Sequence, residues 1–134
     1  ARFLAPPPAH LLAELLGRGA VTQEQCAMAS RVAVAQDVTV EADSGGHTDN
    51  RPLVTLLPSI LALRDELAAR HGLLAAPRIG AAGGIATPAA AYAAFALGAA
   101  YVMTGSVNQA CIESGSSDRA RQMLAQASQS DVAM

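Results

Sequence analysis

Hydrophobic and polar positions along the chain follow two periods in turn, which predicts strands that alternate with helices. A period-two run of valines, Val32, Val34, Val38 and Val40, leads into a strand that closes at residues 41–43. Leucines at helical spacing then run over residues 53–67, with Pro58 acceptable as a first helical residue and Gly72 placed to end the helix. Residues 77–82 form the second predicted strand. A strand, a helix and a strand in this order predict a βα crossover.

The same alternation continues toward the C-terminus. Thr87-Pro88 has the residue types of a helix N-cap followed by proline at the first helical position. Residues 100–103 predict a third strand, and residues 107–113 predict a short helix. Ser117-Asp118 then caps a last helix, which runs to Gln126. Repeated βα units of this length imply parallel strands with helices outside them.

The N-terminal part has the pattern of a small helical insert. Pro6-Pro7-Pro8 precedes an apolar helix that ends near Gly17, and residues 22–25 have the spacing of a capping box for a second helix. We therefore expect a helical insert at residues 1–31 and βα units at residues 32–134.

Parallel βα units occur in two principal architectures, an open doubly wound sheet and a closed (β/α)₈ barrel. The open sheet is disfavoured because the chain has no GxGxxG followed by an acidic residue about 20 positions later. The barrel is favoured because two consecutive strands end in Gly-Gly and Gly-Ser, which is where barrels bind phosphate. A barrel usually needs about 250 residues. The expected fold class is therefore α/β, a partial (β/α)₈ TIM barrel with the last three or so βα units plus the helical insert.

Composition narrows the class of protein. The 134 residues are 51% hydrophobic and 15% charged, which is typical of one packed globular domain. A net charge of −2 without a basic cluster argues against a nucleic-acid partner. All nine basic residues are arginine, which excludes Schiff-base chemistry on lysine and a Walker A loop. No apolar run approaches about 18 residues, so no membrane span is expected. Cys26 and Cys111 match neither a redox pair nor a zinc spacing, so we expect free thiols in a reducing cytoplasm.

Two strand ends that contain glycine are candidates for phosphate binding. Gly83 and Gly84 follow the second strand, and Gly105 and Ser106 follow the third. Glycine exposes backbone N–H groups because no Cβ blocks an approaching phosphate, and Ser106 adds a hydroxyl. One such pair more often serves a tight βα turn, but two pairs on adjacent strands favour a phosphomonoester. Asn108-Gln109, in the next helical turn, is an open candidate for a cofactor contact.

His47 is the candidate acid or base. It follows Gly45 and Gly46 after the first strand, near Asp43 and other polar groups that can orient an imidazole. A lone histidine is more often a structural hydrogen-bonding group, so position alone leaves both roles open. Glu41 and Asp43 could form a metal pair, but no further ligand is evident in the sequence, so no metal site is assigned.

Three segments together resemble one enzyme family. Residues 41–52, 80–85 and 103–109 look like the flavin-dependent enoyl reductase of trans-acyltransferase polyketide synthases and polyunsaturated fatty acid synthases. That family belongs with the nitronate monooxygenases, which are FMN-dependent (β/α)₈ barrels. The resemblance covers nearly the whole chain, and the block around His47 is its most diagnostic part. Val40 stands where nitronate monooxygenases carry a flavin-contacting glutamine, and this departure favours the reductase branch.

The resemblance also implies a set of site residues. It puts His47 in the place of the base with which nitronate monooxygenases remove the α-proton of their substrate. It carries the family's flavin contacts to a group of residues at three strand ends, namely Gly45, Gly46, Gly83, Gly84, Met103, Thr104, Gly105 and Ser106.

The implied reaction reduces FMN with NADPH and then delivers hydride to the β-carbon of an enoyl thioester on an acyl carrier protein, while His47 protonates the α-carbon. The expected partners are that carrier protein and the thioester substrate, with no nucleic acid and no membrane; exposed strand edges favour self-association as a homo-oligomer. Nitronate oxidation with FMN and oxygen is the enzymatic alternative, and a non-catalytic truncated fragment is a further one. Because a family member also needs an N-terminal half-barrel, the isolated chain is expected to bind FMN weakly or not at all.

Overall fold

The computed structural model describes residues 2–44, 51–128 and 131. Within these ranges the chain forms six α-helices and two β-strands. In chain order they are α1 Ala9–Gly17, α2 Gln23–Ala29, β1 Asp37–Glu41, α3 Leu53–His71, β2 Arg78–Ala82, α4 Pro88–Ala96, α5 Ser106–Gln109 and α6 Asp118–Gln126. Across the described residues, no helix combines the length and the apolar character that crossing a membrane requires.

Two compact units divide these elements. The first comprises Ala1–Val38 and Ser59–Ile79, and the second comprises Thr39–Pro58 and Gly80–Met134. Both strands and α3 continue from one unit into the other. The described candidate site residues all belong to the second unit.

The first unit contains the two helices predicted for the N-terminal insert. Thr22 Oγ1 accepts a hydrogen bond from Gln25 N at 3.1 Å, and Gln25 Oε1 accepts one from Thr22 N at 2.8 Å, so the predicted capping box is present at the start of α2. The Cys26 thiol donates to Leu12 O at 3.6 Å, which ties α2 to α1. Cys26 and Cys111 are both free thiols, as predicted.

Helix α3 begins at Leu53, so the prediction that Pro58 opens this helix is wrong. Leu56 N bonds to Pro52 O at 3.0 Å, so the first helical turn begins directly after Pro52. Pro58 lies in the second turn, where its missing N–H deprives the carbonyl of Val54 of a helical partner. Val54 is 63% exposed, so solvent can satisfy that carbonyl and the helix continues through the proline.

Strands β1 and β2 pair in parallel, as the βα pattern predicts. Arg78 N bonds to Gln36 O at 2.7 Å where the two strands begin. Ala42 N bonds to Ala82 O at 2.9 Å where they end. Bonds that join start to start and end to end are those of a parallel pair.

An ion pair lies at the start of the two strands, in the first unit. Arg78 Nε and Nη2 donate to Asp37 Oδ1 and Oδ2 at 2.6 and 2.7 Å. These hydrogen bonds favour the charged carboxylate and hold the pKa of Asp37 below its ordinary value. Both side chains are exposed, so solvent weakens the attraction between their charges.

The predicted third strand, over residues 100–103, is reduced to a single bridge. Val102 forms an isolated parallel bridge with Ala81. Ala81 N donates to Tyr101 O at 3.0 Å, and Met103 N donates to Ala81 O at 2.8 Å. In the described part of the chain, this segment pairs only with β2, and the pairing is limited to these two hydrogen bonds. The predicted direction is therefore correct, and the predicted length is not.

The helices after β2 have the predicted N-caps. Thr87 Oγ1 accepts from Ala90 N at 3.1 Å at the start of α4, and Pro88 occupies the first turn. Ser117 Oγ accepts from Ala120 N at 3.2 Å at the start of α6. Each hydroxyl satisfies one of the N–H groups that a helix start leaves without a partner.

The helix predicted over residues 107–113 is broken in two. α5 ends at Gln109, and a 3₁₀ turn follows at Ile112–Ser114. Ser114 Oγ donates to Gln109 O at 2.9 Å, and Gly115 ends the turn with a φ of +71°. A side chain that bonds locally to the backbone competes with the continuous helical ladder.

Candidate functional site

Three strand ends of the second unit lie along one edge. β1 leads into Ala42, β2 leads into Gly83, and the bridged segment leads into Thr104. The bond from Ala42 N to Ala82 O aligns the first end with the second, and the parallel Ala81–Val102 bridge aligns the second with the third. Because these segments run parallel, the residues that follow them meet at their common carboxyl edge. This is the edge at which α/β proteins bind their ligands.

Gly83 allows the end of β2 to pack directly against the end of β1. Its φ is +90°, and a Cβ added to it would lie 2.4 Å from Ala42 O. Gly84 also has a positive φ, of +67°, but a Cβ there would come no closer than 3.8 Å to Asp43 O. Both positions therefore require the left-handed backbone that glycine adopts readily, and Gly83 additionally requires the missing side chain.

Two hydrogen bonds between Thr104 and Asn108 stabilise the third strand end. Thr104 Oγ1 donates to Asn108 Oδ1 at 3.0 Å, and Asn108 Nδ2 donates to Thr104 O at 2.9 Å. These bonds fix the turn at Gly105, which is the N-cap residue of α5. Asn108, which the sequence left open as a cofactor contact, thus has a partner within the chain and orders the turn.

Three exposed residues at the second and third strand ends have backbone N–H groups without a backbone acceptor in the described ranges. Within the described ranges, the N–H groups of Gly84, Gly105 and Ser106 donate no hydrogen bond to the protein backbone. All three residues are exposed. A Cβ added to Gly105 would meet no atom within 4 Å, so the space beside it is open. Unpaired backbone donors that border open space are the arrangement that binds an anion.

The segment with the candidate acid or base lies partly outside the described residues. Gly45, Gly46 and His47 fall there, so their assignment stays a prediction. On either side of them, Asp43 N donates to Arg51 O at 3.4 Å, and Arg51 N donates to Asp43 Oδ1 at 3.2 Å. These two bonds hold residues 43 and 51 together at the end of β1.

A hydrogen-bonded cluster on one face of the strands was missed in the sequence. Thr39 Oγ1 lies 2.9 Å from Tyr101 Oη and 3.2 Å from Met103 Sδ. The Tyr101 ring lies over Gly80, where an added Cβ would be 2.1 Å from Tyr101 Cε2. Strand alternation was the available signal, because it places Tyr101 and Met103 on the same face. Residue Thr39 joins them only through the pairing of β1 with β2, which the hydrophobic pattern does not specify.

Comparison with known proteins relates the chain to biosynthetic synthases. No protein-family model matches it. The chain is 51% identical, over 134 residues, to one of the subunits of the polyunsaturated fatty acid synthase of Thraustochytrium sp.; the match covers 98% of this chain and 9% of that protein. It is 43% identical, over 131 residues, to the polyketide biosynthesis protein PksE of Bacillus subtilis, covering 98% of this chain and 17% of that protein.

A solved structure gives the same relation. The chain resembles the enoyl reductase domain of MlnA, from the macrolactin biosynthesis cluster of Bacillus amyloliquefaciens, with a TM-score of 0.83 and 39% sequence identity over 93% of this chain and 28% of that chain. The resemblance to enoyl reductases of polyketide and polyunsaturated fatty acid synthases is therefore confirmed, and the α/β fold is similar to that of an enoyl reductase domain. The chain spans a small part of the length of each relative.

Proposed function

We propose that the chain is part of an enoyl reductase that acts in polyketide or polyunsaturated fatty acid biosynthesis. The structural similarity to the MlnA enoyl reductase domain over 93% of the chain carries the proposal. In it, residues 32–134 are C-terminal βα units of a (β/α)₈ barrel, and the substrate is an enoyl thioester on an acyl carrier protein. The parallel order of β1, β2 and the bridge at Val102 supports the barrel part of the proposal.

The strand-end edge fits the phosphate of FMN. A phosphate dianion needs several N–H donors with open space beside them. Gly84, Gly105 and Ser106 supply such donors, and the two glycines carry no side chain that would block the phosphate. Met103 and Thr104 precede these donors directly, so we assign them to the flavin side of the same cofactor. When bound, FMN supplies the redox chemistry, since it takes a hydride from NADPH and passes one to the β-carbon of the enoyl thioester.

His47 is the proposed proton donor, with Gly45 and Gly46 beside the cofactor. Reduction of the enoyl thioester adds a hydride at the β-carbon and needs one proton at the α-carbon. An imidazolium at a strand end is suited to supply that proton. The hydrogen bonds between Asp43 and Arg51 support this assignment, because they keep both flanks of the His47 segment at the carboxyl end of β1.

The test uses the full-length protein that contains these residues. We expect the purified protein to contain FMN and to oxidise NADPH when a crotonyl thioester is added. His47→Ala is expected to lower kcat by about 100-fold or more. Reduction of the bound flavin by NADPH alone, followed by stopped-flow absorbance, should keep its wild-type rate, because that half-reaction does not need the proton. His71→Ala is the matched control, since His71 is an exposed residue at the end of α3.

Each alternative has a distinct outcome. A protein without flavin contradicts the cofactor assignment, and a flavin protein that oxidises a nitronate with oxygen and without NADPH is a nitronate monooxygenase. A protein with neither flavin nor turnover supports the non-catalytic alternative. Wild-type turnover in His47→Ala removes His47 from the mechanism and leaves the reductase assignment in place.

A further inference from the structure

We propose that Thr39 is a positioning residue, which sets the direction of the Met103 thioether at the cofactor edge. The inference rests on the proposed function, in which Met103 contacts the flavin. It extends that function to a residue in the middle of β1, one side-chain layer below the strand ends.

The two contacts of Thr39 fix the order of donors and acceptors. Its Oγ1 is within hydrogen-bond distance of Tyr101 Oη, at 2.9 Å, and donates to Met103 Sδ at 3.2 Å. A threonine hydroxyl has a single proton, and a thioether sulfur can only accept one. The Thr39 proton is therefore directed at Met103, and the proton between the two hydroxyls comes from Tyr101. Tyr101 therefore donates to Thr39, and Thr39 donates to Met103.

Tyr101 and Thr39 have little freedom to change conformation. The Tyr101 ring occupies the space that a side chain at residue 80 would need, because an added Cβ at Gly80 would lie 2.1 to 2.5 Å from three ring atoms. Thr39 is β-branched, so its χ1 angle has few alternatives. Met103 has three rotatable side-chain bonds and gains a defined direction only from a contact of this kind.

The location of Met103 connects this arrangement to the cofactor. Its N–H bonds to Ala81 O at 2.8 Å, which fixes the backbone at the bridge. Met103 is 55% exposed. It directly precedes Thr104 and the open turn at Gly105. A sulfur held in one direction beside open space suits contact with the flat ring of a flavin, since thioethers pack favourably at aromatic rings.

The test compares two substitutions of Thr39 in the full-length protein labelled with ¹³C-methyl methionine. Thr39→Val removes the hydroxyl and keeps the branched shape, whereas Thr39→Ser keeps the hydroxyl. We expect the Met103 methyl resonance, identified by its loss in Met103→Leu, to move in Thr39→Val and to return toward its wild-type position in Thr39→Ser. The dissociation constant for FMN should rise about 3- to 10-fold in Thr39→Val, as expected for loss of one hydrogen bond.

Thr55→Val is the matched control for the substitution itself. Thr55 Oγ1 donates to Pro52 O at 3.0 Å at the start of α3. It should leave the Met103 resonance and FMN affinity unchanged. If Thr39→Val also leaves both unchanged, the positioning role is overturned while FMN binding stands. If Thr39→Ser weakens FMN binding as much as Thr39→Val, the hydroxyl is not responsible and the inference is again overturned. If the wild-type full-length protein binds no FMN, the proposed function itself fails and the inference falls with it.

Discussion

Gly83→Ala tests the close approach of two strand ends. The new Cβ would lie 2.4 Å from Ala42 O, at a φ of +90°. The left-handed backbone costs an L-residue about 1–2 kcal/mol. Ala42 cannot move aside freely because its N–H is bonded to Ala82 O at 2.9 Å, so relief of the overlap shifts the strand pair and costs about 1–3 kcal/mol more. We therefore expect the free energy of unfolding to fall by about 2–5 kcal/mol.

Two other glycines separate the backbone cost from the overlap. Gly84 has a φ of +67° with its nearest neighbour at 3.8 Å, and Gly115 has a φ of +71° with no atom within 4 Å. Alanine at either position should cost only the conformational part, about 1–2 kcal/mol. The assay is urea denaturation of the chain, followed by circular dichroism. Equal losses for Gly83→Ala and Gly115→Ala would refute the argument, because the contact with Ala42 would then contribute nothing.

Three further predictions concern the strands and one helix cap. Gly80→Ala should lower the free energy of unfolding by about 1–3 kcal/mol, since its Cβ meets the Tyr101 ring. In a double-mutant cycle measured by urea denaturation, this loss should largely disappear in a Tyr101→Ala background. An undiminished loss in that background would argue against the contact. The pKa of Asp37 lies below its ordinary value of 3.8 because Arg78 donates to the carboxylate, so the stabilisation is complete above that value and is lost as the pH falls through the lowered one. The difference in unfolding free energy between wild type and Asp37→Asn should therefore shrink in strong acid, whereas a difference independent of pH would contradict the ion pair. Thr87→Ala should cost about 1 kcal/mol through loss of the α4 cap, measured by thermal unfolding, with Thr87→Ser close to wild type; a similar loss in both variants would show that the hydroxyl is not the stabilising group.

Features that depend on a few adjacent residues were predictable from the sequence. The capping box at Thr22 and the caps at Thr87 and Ser117 occur where predicted, because a side-chain oxygen and the N–H it satisfies are three residues apart. The parallel order of the strands was also predictable, since each crossover is long enough to contain a helix.

Features that depend on distant residues were not predictable in the same way. The helix continues through Pro58, and the carbonyl that this proline deprives of a partner belongs to Val54, which is exposed; exposure is a property of the folded chain. The contacts of Thr39 with Tyr101 and Met103 join residues separated by 62 and 64 positions. Hydrophobic period specifies which face a residue occupies within its own strand, but it does not specify the register between strands that brings these three together.

The glycine pair after β2 shows why sequence alone left two interpretations open. The sequence allowed these glycines to serve either a tight turn or phosphate binding. In the structure, Gly83 meets the first requirement and Gly84 is suited to the second. Gly83 is needed for packing, since an added Cβ there would lie only 2.4 Å from Ala42 O. Gly84 is an exposed residue whose N–H bonds to no described backbone acceptor, so it is the residue suited to bind an anion. The turn therefore brings the donor to the strand edge. A substitution at Gly83 should displace Gly84 and so weaken the proposed binding of the FMN phosphate, even though Gly83 itself need not touch the ligand.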